Sequence, residues 1–168
     1  MTLPAAKDAR AGQLDVVQLC WQYGVLSTNA QVGLPLLRPD RRQLGGLVRL
    51  LEGDPRGRRR RHRRLPLMLP VRLRTPQGEV DAVALNISGG GVYVIGTALI
   101  PAGSAVTVTF DDGGAGDRCF HGTVSWVRPR GPQFGMGIRF SSFPLMQRAS
   151  VGLDAPEAQD DVLGPGGI

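Results

Sequence analysis

The chain has 168 residues, 42% of them hydrophobic, with 24 glycines, 13 prolines and a formal net charge of +6. That length holds one domain plus extensions, and modest apolar content among so many turn formers favours a small all-β barrel over a helical bundle. No apolar run reaches the roughly 18 to 20 residues of a membrane span. The segment Met1 to Asp8 lacks a charged start leading into an apolar stretch, so no signal peptide is expected. Cys20 and Cys119 fall in different predicted units, and a reduced, cytoplasmic setting is the simplest reading.

Residues 1–55 form an irregular N-terminal extension. Leu14, Val17 and Trp21 recur at helical spacing, with Val16 and Cys20 as a second row, and predict a helix from Ala9 to Tyr23 that ends near Gly24. A second helix is predicted from Asp40 to Leu51, with Asp40 as N-cap, Leu44, Leu47, Val48 and Leu51 as apolar stripe, and Gly53 as stop. Two short amphipathic helices cannot make a core alone. They must pack on the barrel, on each other across a dimer, or on a partner.

An arginine-rich arm follows at 56–66. Arg56 to Arg64 hold seven arginines in nine positions and no acid, so these seven alone exceed the net charge. Such a run also fits a solvated basic linker or a nonspecific contact with nucleic acid or anionic lipid. The choice of arginine over lysine favours planar, bidentate grip on phosphate and on the edge of guanine.

Leu67 to Arg74 is the first predicted strand, with Leu67, Leu69, Val71 and Leu73 alternating. Pro70 interrupts it and predicts an edge position or a bulge. Thr75-Pro76-Gln77-Gly78 fits a type I turn. Glu79 to Ser88 returns, with Val83, Leu85 and Ile87 assigned to one face and Ala82, Ala84, Asn86 and Ser88 to the other. At about 3.3 Å per residue the two runs nearly cancel. Leu67 then lies near Asn86, and Arg64 reaches the end of the hairpin where Asn86 and Ser88 sit. Further strands are predicted at Val92 to Ile95, Ser104 to Phe110, Arg118 to Val127 and Gln133 to Phe140. Phe120, Val124, Trp126 and Phe134 are all assigned inward. Six strands joined by Gly- and Pro-bearing turns predict a small antiparallel barrel. Phe143 to Leu153 is expected as a short helix over one mouth, closing a unit at 67–153, and the acidic tail 154–168 as disordered.

Catalysis finds little support. His62 lies in the arm and His121 in a strand, where Cys119 shares its face, but no carboxylate completes a nucleophile system and two ligands make a poor metal site. Asp111, Asp112 and Asp117 read as loop carboxylates. No enzyme, cofactor or metal is expected. The turn Asn86-Ile87-Ser88-Gly89-Gly90-Gly91 is a weak phosphate-loop signal, since no Gly-Lys-Ser/Thr follows. Asn86 and Ser88 at alternate positions beside the arm nevertheless suit the edge of a purine.

Arg59-Arg60, three residues and Arg64, then Asn86-x-Ser88-x-x-Gly91, together resemble the two-part signature of the PilZ domain. Leu65-Pro66, Leu69-Pro70-Val71-Arg72, Gly122-x-Val124-x-Trp126 and Gly135-Met136-Gly137-Ile138-x-Phe140 are also similar to that family, over about residues 58 to 150. The resemblance implies a six-stranded antiparallel barrel that binds the bacterial second messenger cyclic di-GMP. Arg59, Arg60 and Arg64 would contact its phosphates and guanines, Asn86 and Ser88 would bond to a guanine, and Gly91 would let the loop turn closely beneath the ligand. Arg58, which would influence how many ligand molecules stack, and Gly89 and Gly90 are further candidates. Arg56, Arg61 and Arg63 would stand aside. The arm would clamp on the ligand and reposition residues 1–55 for a protein partner. A ligand-independent PilZ-like interaction module and a nucleic-acid-binding protein are the rival readings. Motility and exopolysaccharide regulation are among the outputs the resemblance allows, and it leaves the oligomeric state open.

Overall fold

The computed structural model describes residues 6–53, 60–111 and 117–144, without the side chains of residues 6–8. Two helices, α1 (Ala6–Gln31) and α2 (Arg38–Leu51), precede six strands: β1 (Leu65–Thr75), β2 (Gly78–Ser88), β3 (Gly91–Gly96), β4 (Ala105–Phe110), β5 (Arg118–Arg130) and β6 (Gln133–Ser142). The strands close an antiparallel barrel in the order β1-β2-β3-β6-β5-β4. Alternation builds it: Leu67, Leu69, Val71 and Leu73 of β1, Val106, Val108 and Phe110 of β4, and Phe120 and Val124 of β5 all face the core. Each fully buried Phe or Leu contributes about 1.5–3 kcal/mol relative to exposure.

Bulges correct the expected facing in two strands. In β2 the inward residues are Ala82, Ala84 and Ile87, whereas Val83, assigned to the apolar face, is exposed. A bulge between Ala84 and Asn86 shifts the phase midway along the strand, so one alternation cannot describe it. In β5 a bulge between Val124 and Trp126 turns Trp126 outward. Pro70 is not on an edge, because the barrel is closed. It pairs with Val83, and the ladder to β4 begins one residue later at Val71, so the missing N–H interrupts no bond on that side. The bulge of β1 lies earlier, between Pro66 and Leu69.

The hairpin register follows the sequence reading closely. Arg74 faces Glu79 and Thr75 faces Gly78, while the β1 bulge brings Pro66 rather than Leu67 opposite Asn86. The Thr75 hydroxyl accepts from the Gln77 N–H at 3.2 Å and donates to the Gly78 carbonyl at 3.1 Å, closing the turn.

Of the packing options for the helices, the barrel is the one taken. Val17, Cys20, Tyr23 and Leu26 of α1 and Leu47 and Leu51 of α2 join the barrel core in one apolar cluster. The Met68 N–H, freed by the β1 bulge, donates to Gln13 Oε1 at 2.7 Å. α1 does not stop at Gly24. That glycine admits the Phe143 ring, whose Cζ would lie 2.2 Å from a Cβ there. The true stop is Gly33 at φ 77°, where the Gly33 and Leu34 N–H groups donate back to the Ala30 and Asn29 carbonyls at 3.2 and 3.0 Å. α2 starts two residues earlier than expected. Leu37 occupies the cap without a side-chain bond, Pro39 fits the first turn, and Asp40 lies inside it, where a carboxylate favours the positive helix end. Gly53 at φ 86° follows the helix as expected. Phe143 and Pro144 are not helical, and the remainder of the expected C-terminal helix and the tail lie outside the described residues. Among the described residues no helix is long and apolar enough to cross a membrane.

Candidate functional site

Backbone bonds tie residues 61 and 63 of the arm to the end of α2 before any side chain is considered. Past α2 the chain returns antiparallel to its own end. The Gly53 N–H donates to the Arg61 carbonyl at 3.1 Å and the Arg63 N–H to the Leu51 carbonyl at 2.7 Å, bridging Glu52 and His62. Residues 60–64 therefore pass beside the C-terminus of α2 and lead into β1.

Opposite the arm, β2 turns into β3 through Ser88-Gly89-Gly90-Gly91. The Ser88 hydroxyl accepts from the Gly90 and Gly91 N–H groups, at 3.2 Å each, and donates to the Gly91 carbonyl at 3.3 Å. It thus caps the turn. Gly89 and Gly90 are small because rings lie on them: Cβ atoms there would come within 2.6 Å of Tyr23 Cε1 and 2.7 Å of His62 Nδ1. At Gly91 the neighbour is the Ile138 carbonyl of β6, 2.4 Å from a Cβ, so that glycine permits the β3–β6 approach. The Tyr23 hydroxyl donates to Glu52 Oε1 and lies 3.0 Å from His62 Nε2, and Arg61 pairs with Glu52 at 3.6 Å. Burial, then the Glu52 bond, push the Tyr23 phenol up to about 12, so it remains a donor. Burial, then Arg61, hold His62 below its ordinary range against an opposing pull from Glu52, which favours the neutral ring.

Between arm and barrel lies a cleft of about 260 Å³. Arg60, Arg61 and Arg64 line it from the arm, Asn86, Ser88, Gly90 and Gly91 from the β2–β3 turn, and Ser125, Trp126 and Arg139 from β5 and β6. Among the described residues four guanidinium groups and no carboxylate line it, a donor set that suits an anion through planar, bidentate bonds. Its floor is aromatic. Tyr93 and Trp126 lie 5.5 Å apart between ring centroids, tilted by 30°. Gly135 and Gly137 of β6 form the trough that holds them, since a Cβ at Gly137 would sit 2.2 Å from Trp126 Nε1. Arg128 stacks over Trp126 at 5.3 Å, and Arg130 donates to the Tyr93 hydroxyl at 3.0 Å. Among the described residues no three His, Cys, Asp or Glu side chains gather as a metal site.

A model of the PilZ domain family matches residues 58–152. The chain belongs to the PilZ family. Among solved structures it is similar to the Bacillus subtilis inhibitor of motility (MotI/DgrA), at 19% identity and a TM-score of 0.42, over 52% of this chain and 44% of that one. It is also similar to PlzA of Borreliella burgdorferi, solved in complex with c-di-GMP, at 16% identity and a TM-score of 0.41, over 66% and 46%. The chain therefore spans less than half the length of either protein. Comparison with curated proteins gives no match.

Within this PilZ domain the expected residues divide as follows. Arg60, Arg64, Asn86, Ser88, Gly90 and Gly91 come together around the cleft, and Gly89 lies beneath Tyr23. Arg58 and Arg59 lie outside the described residues, as does Arg56. Arg61, expected to stand aside, lines the cleft and pairs with Glu52. Arg63 holds the backbone bridge, and its Nε is buried with no hydrogen-bond partner among the described residues. Sequence reasoning missed Tyr93, Trp126 and Arg139. The signal for the aromatics was present: two glycines at alternate positions of one strand leave room for flat rings from its neighbours. α1 and α2, which hold the arm, lie outside the family match.

Proposed function

We propose that the chain is a cyclic di-GMP receptor that acts without catalysis, relaying occupancy of the cleft to a protein partner. One observation carries the reading: a cleft with no acid among its described lining residues joins Arg60, Arg61, Arg64 and Arg139 to Asn86 and Ser88, over an aromatic floor. The ligand's two phosphates suit arginine forks, its guanines offer edges to Asn86 and faces to Trp126, and family membership supports the ligand class. In this reading Arg59, Arg60 and Arg64 grip the phosphates and guanines and Arg58 modulates stacking. Asn86 reads a guanine edge. Ser88 holds the Gly89-Gly90-Gly91 turn in shape and exchanges its donated bond for the ligand. The arm at 56–66 is the moving part between the 1–55 extension and the barrel.

The test is competition binding of the full chain with cyclic di-GMP against GMP and single-stranded DNA. Saturable binding of cyclic di-GMP that neither competitor displaces supports the reading. Displacement by DNA, with affinity falling steeply as salt rises, would replace it with nucleic-acid binding.

A further inference from the structure

We infer that Tyr23 is a positioning residue for the arginine arm, acting through Glu52 and His62, so that cleft occupancy and α1–α2 packing form one equilibrium. The inference rests on the receptor reading above and deepens it by naming the element that regulates the site.

Tyr23 lies 39 residues before His62 and outside the family match, yet its hydroxyl joins three elements. The bonding logic is determinate. The Glu52 carboxylate can only accept, so the phenol proton points to it, and the phenol oxygen accepts from His62 Nε2–H. His62 then has a bare Nδ1, the atom nearest a Cβ at Gly90. Its ring meets that of Tyr23 edge-on, with centroids 5.5 Å apart. The imidazole is thus held on three sides: by the phenol, by the floor of Gly89 and Gly90, and by the backbone bridge to Glu52. Arg61 and Arg63 flank it in sequence, and Arg61 is tied to the same carboxylate. Side chains at 60, 61 and 64 therefore reach the cleft from a backbone whose position Tyr23 helps to set. Linkage makes the effect reciprocal: a ligand that orders the arm also tightens the α1–α2 packing that holds it.

Tyr23→Phe is the informative variant, because it removes the hydroxyl and keeps the ring on Gly89. Amide exchange in the unliganded full chain reports on the arm directly. Loss of the shared bond should speed exchange of the Gly53 and Arg63 amides about tenfold and leave the barrel amides of Leu73 and Val108 unchanged. Cyclic di-GMP should bind this variant about three- to tenfold more weakly than the parent chain. His62→Ala should behave alike, and the double variant should be no worse than either single one. Unchanged exchange at Gly53 and Arg63, equal acceleration across the barrel, or undiminished affinity in Tyr23→Phe would each overturn the inference. If the parent chain fails to bind while the arm amides respond, the receptor reading falls and the positioning of the arm by Tyr23 stands.

Discussion

Ser88 holds the β2–β3 turn together and, in the receptor reading proposed above, also meets the ligand. Its hydroxyl already satisfies two N–H groups and one carbonyl within the turn. Ser88→Ala should therefore cost about 1 kcal/mol of stability before any ligand is added, read as a lower urea midpoint, and should weaken cyclic di-GMP as well. A variant that weakens binding with an unchanged midpoint would show that Ser88 acts on the ligand alone. Asn86 and Ser88 are legible as partners of the arm from spacing alone, because a hairpin with matched limbs brings its ends together. Arg61 is not. Its role depends on Glu52, and the approach of Glu52 to residue 62 is set by a backbone bridge that no local pattern encodes. Trp126 reads as inward for a related reason, since a bulge reverses alternation and leaves no mark in hydropathy.

At the level of elements, glycines in α1 test the packing of the helix on the barrel. Alanine normally stabilises an exposed helix interior over glycine by about 0.5–1 kcal/mol. A methyl group at Gly12 would meet nothing within 4 Å, so Gly12→Ala should raise the melting temperature. Gly24 faces the Phe143 ring, which itself meets Phe120 and Phe140 edge-on at 5.9 and 6.0 Å. Gly24→Ala should reverse the sign and lower the melting temperature, as overpacking does. Equal stabilisation by both would place α1 away from Phe143. Both helices and all six strands are legible in the sequence from their apolar patterning and the turns between them, although bulges break the period in β2 and β5. The end of α1 is not, because Gly24 reads as a terminator by local chemistry, and only the tertiary contact with Phe143 shows it to be a packing glycine.

Over the whole molecule, the helices and the barrel share one core, and residues 60–64 of the arm lie between them, held through the His62 imidazole. His62 titrates below its ordinary 6.5 in the folded protein, chiefly through burial and then through Arg61, with Glu52 opposing. Between the folded and unfolded values the unfolded chain binds the extra proton, so stability rises with pH there. The contribution is complete above the ordinary value and is lost as pH falls through the folded one. Melting temperature should therefore drop as pH falls below about 6.5, and His62→Gln should flatten that slope. An unchanged slope in the variant would assign the pH dependence to other groups. Tyr23, raised to about 12, stays protonated throughout this window and keeps its bond to Glu52.

Whether the arginine cleft takes a cyclic dinucleotide is decided by calorimetric titration of the full chain with cyclic di-GMP. Saturable binding is expected, with an affinity of about 10 μM or tighter, strongly weakened by Arg60→Ala. No binding heat at about 100 μM ligand, with the barrel folded by circular dichroism, would contradict the receptor reading.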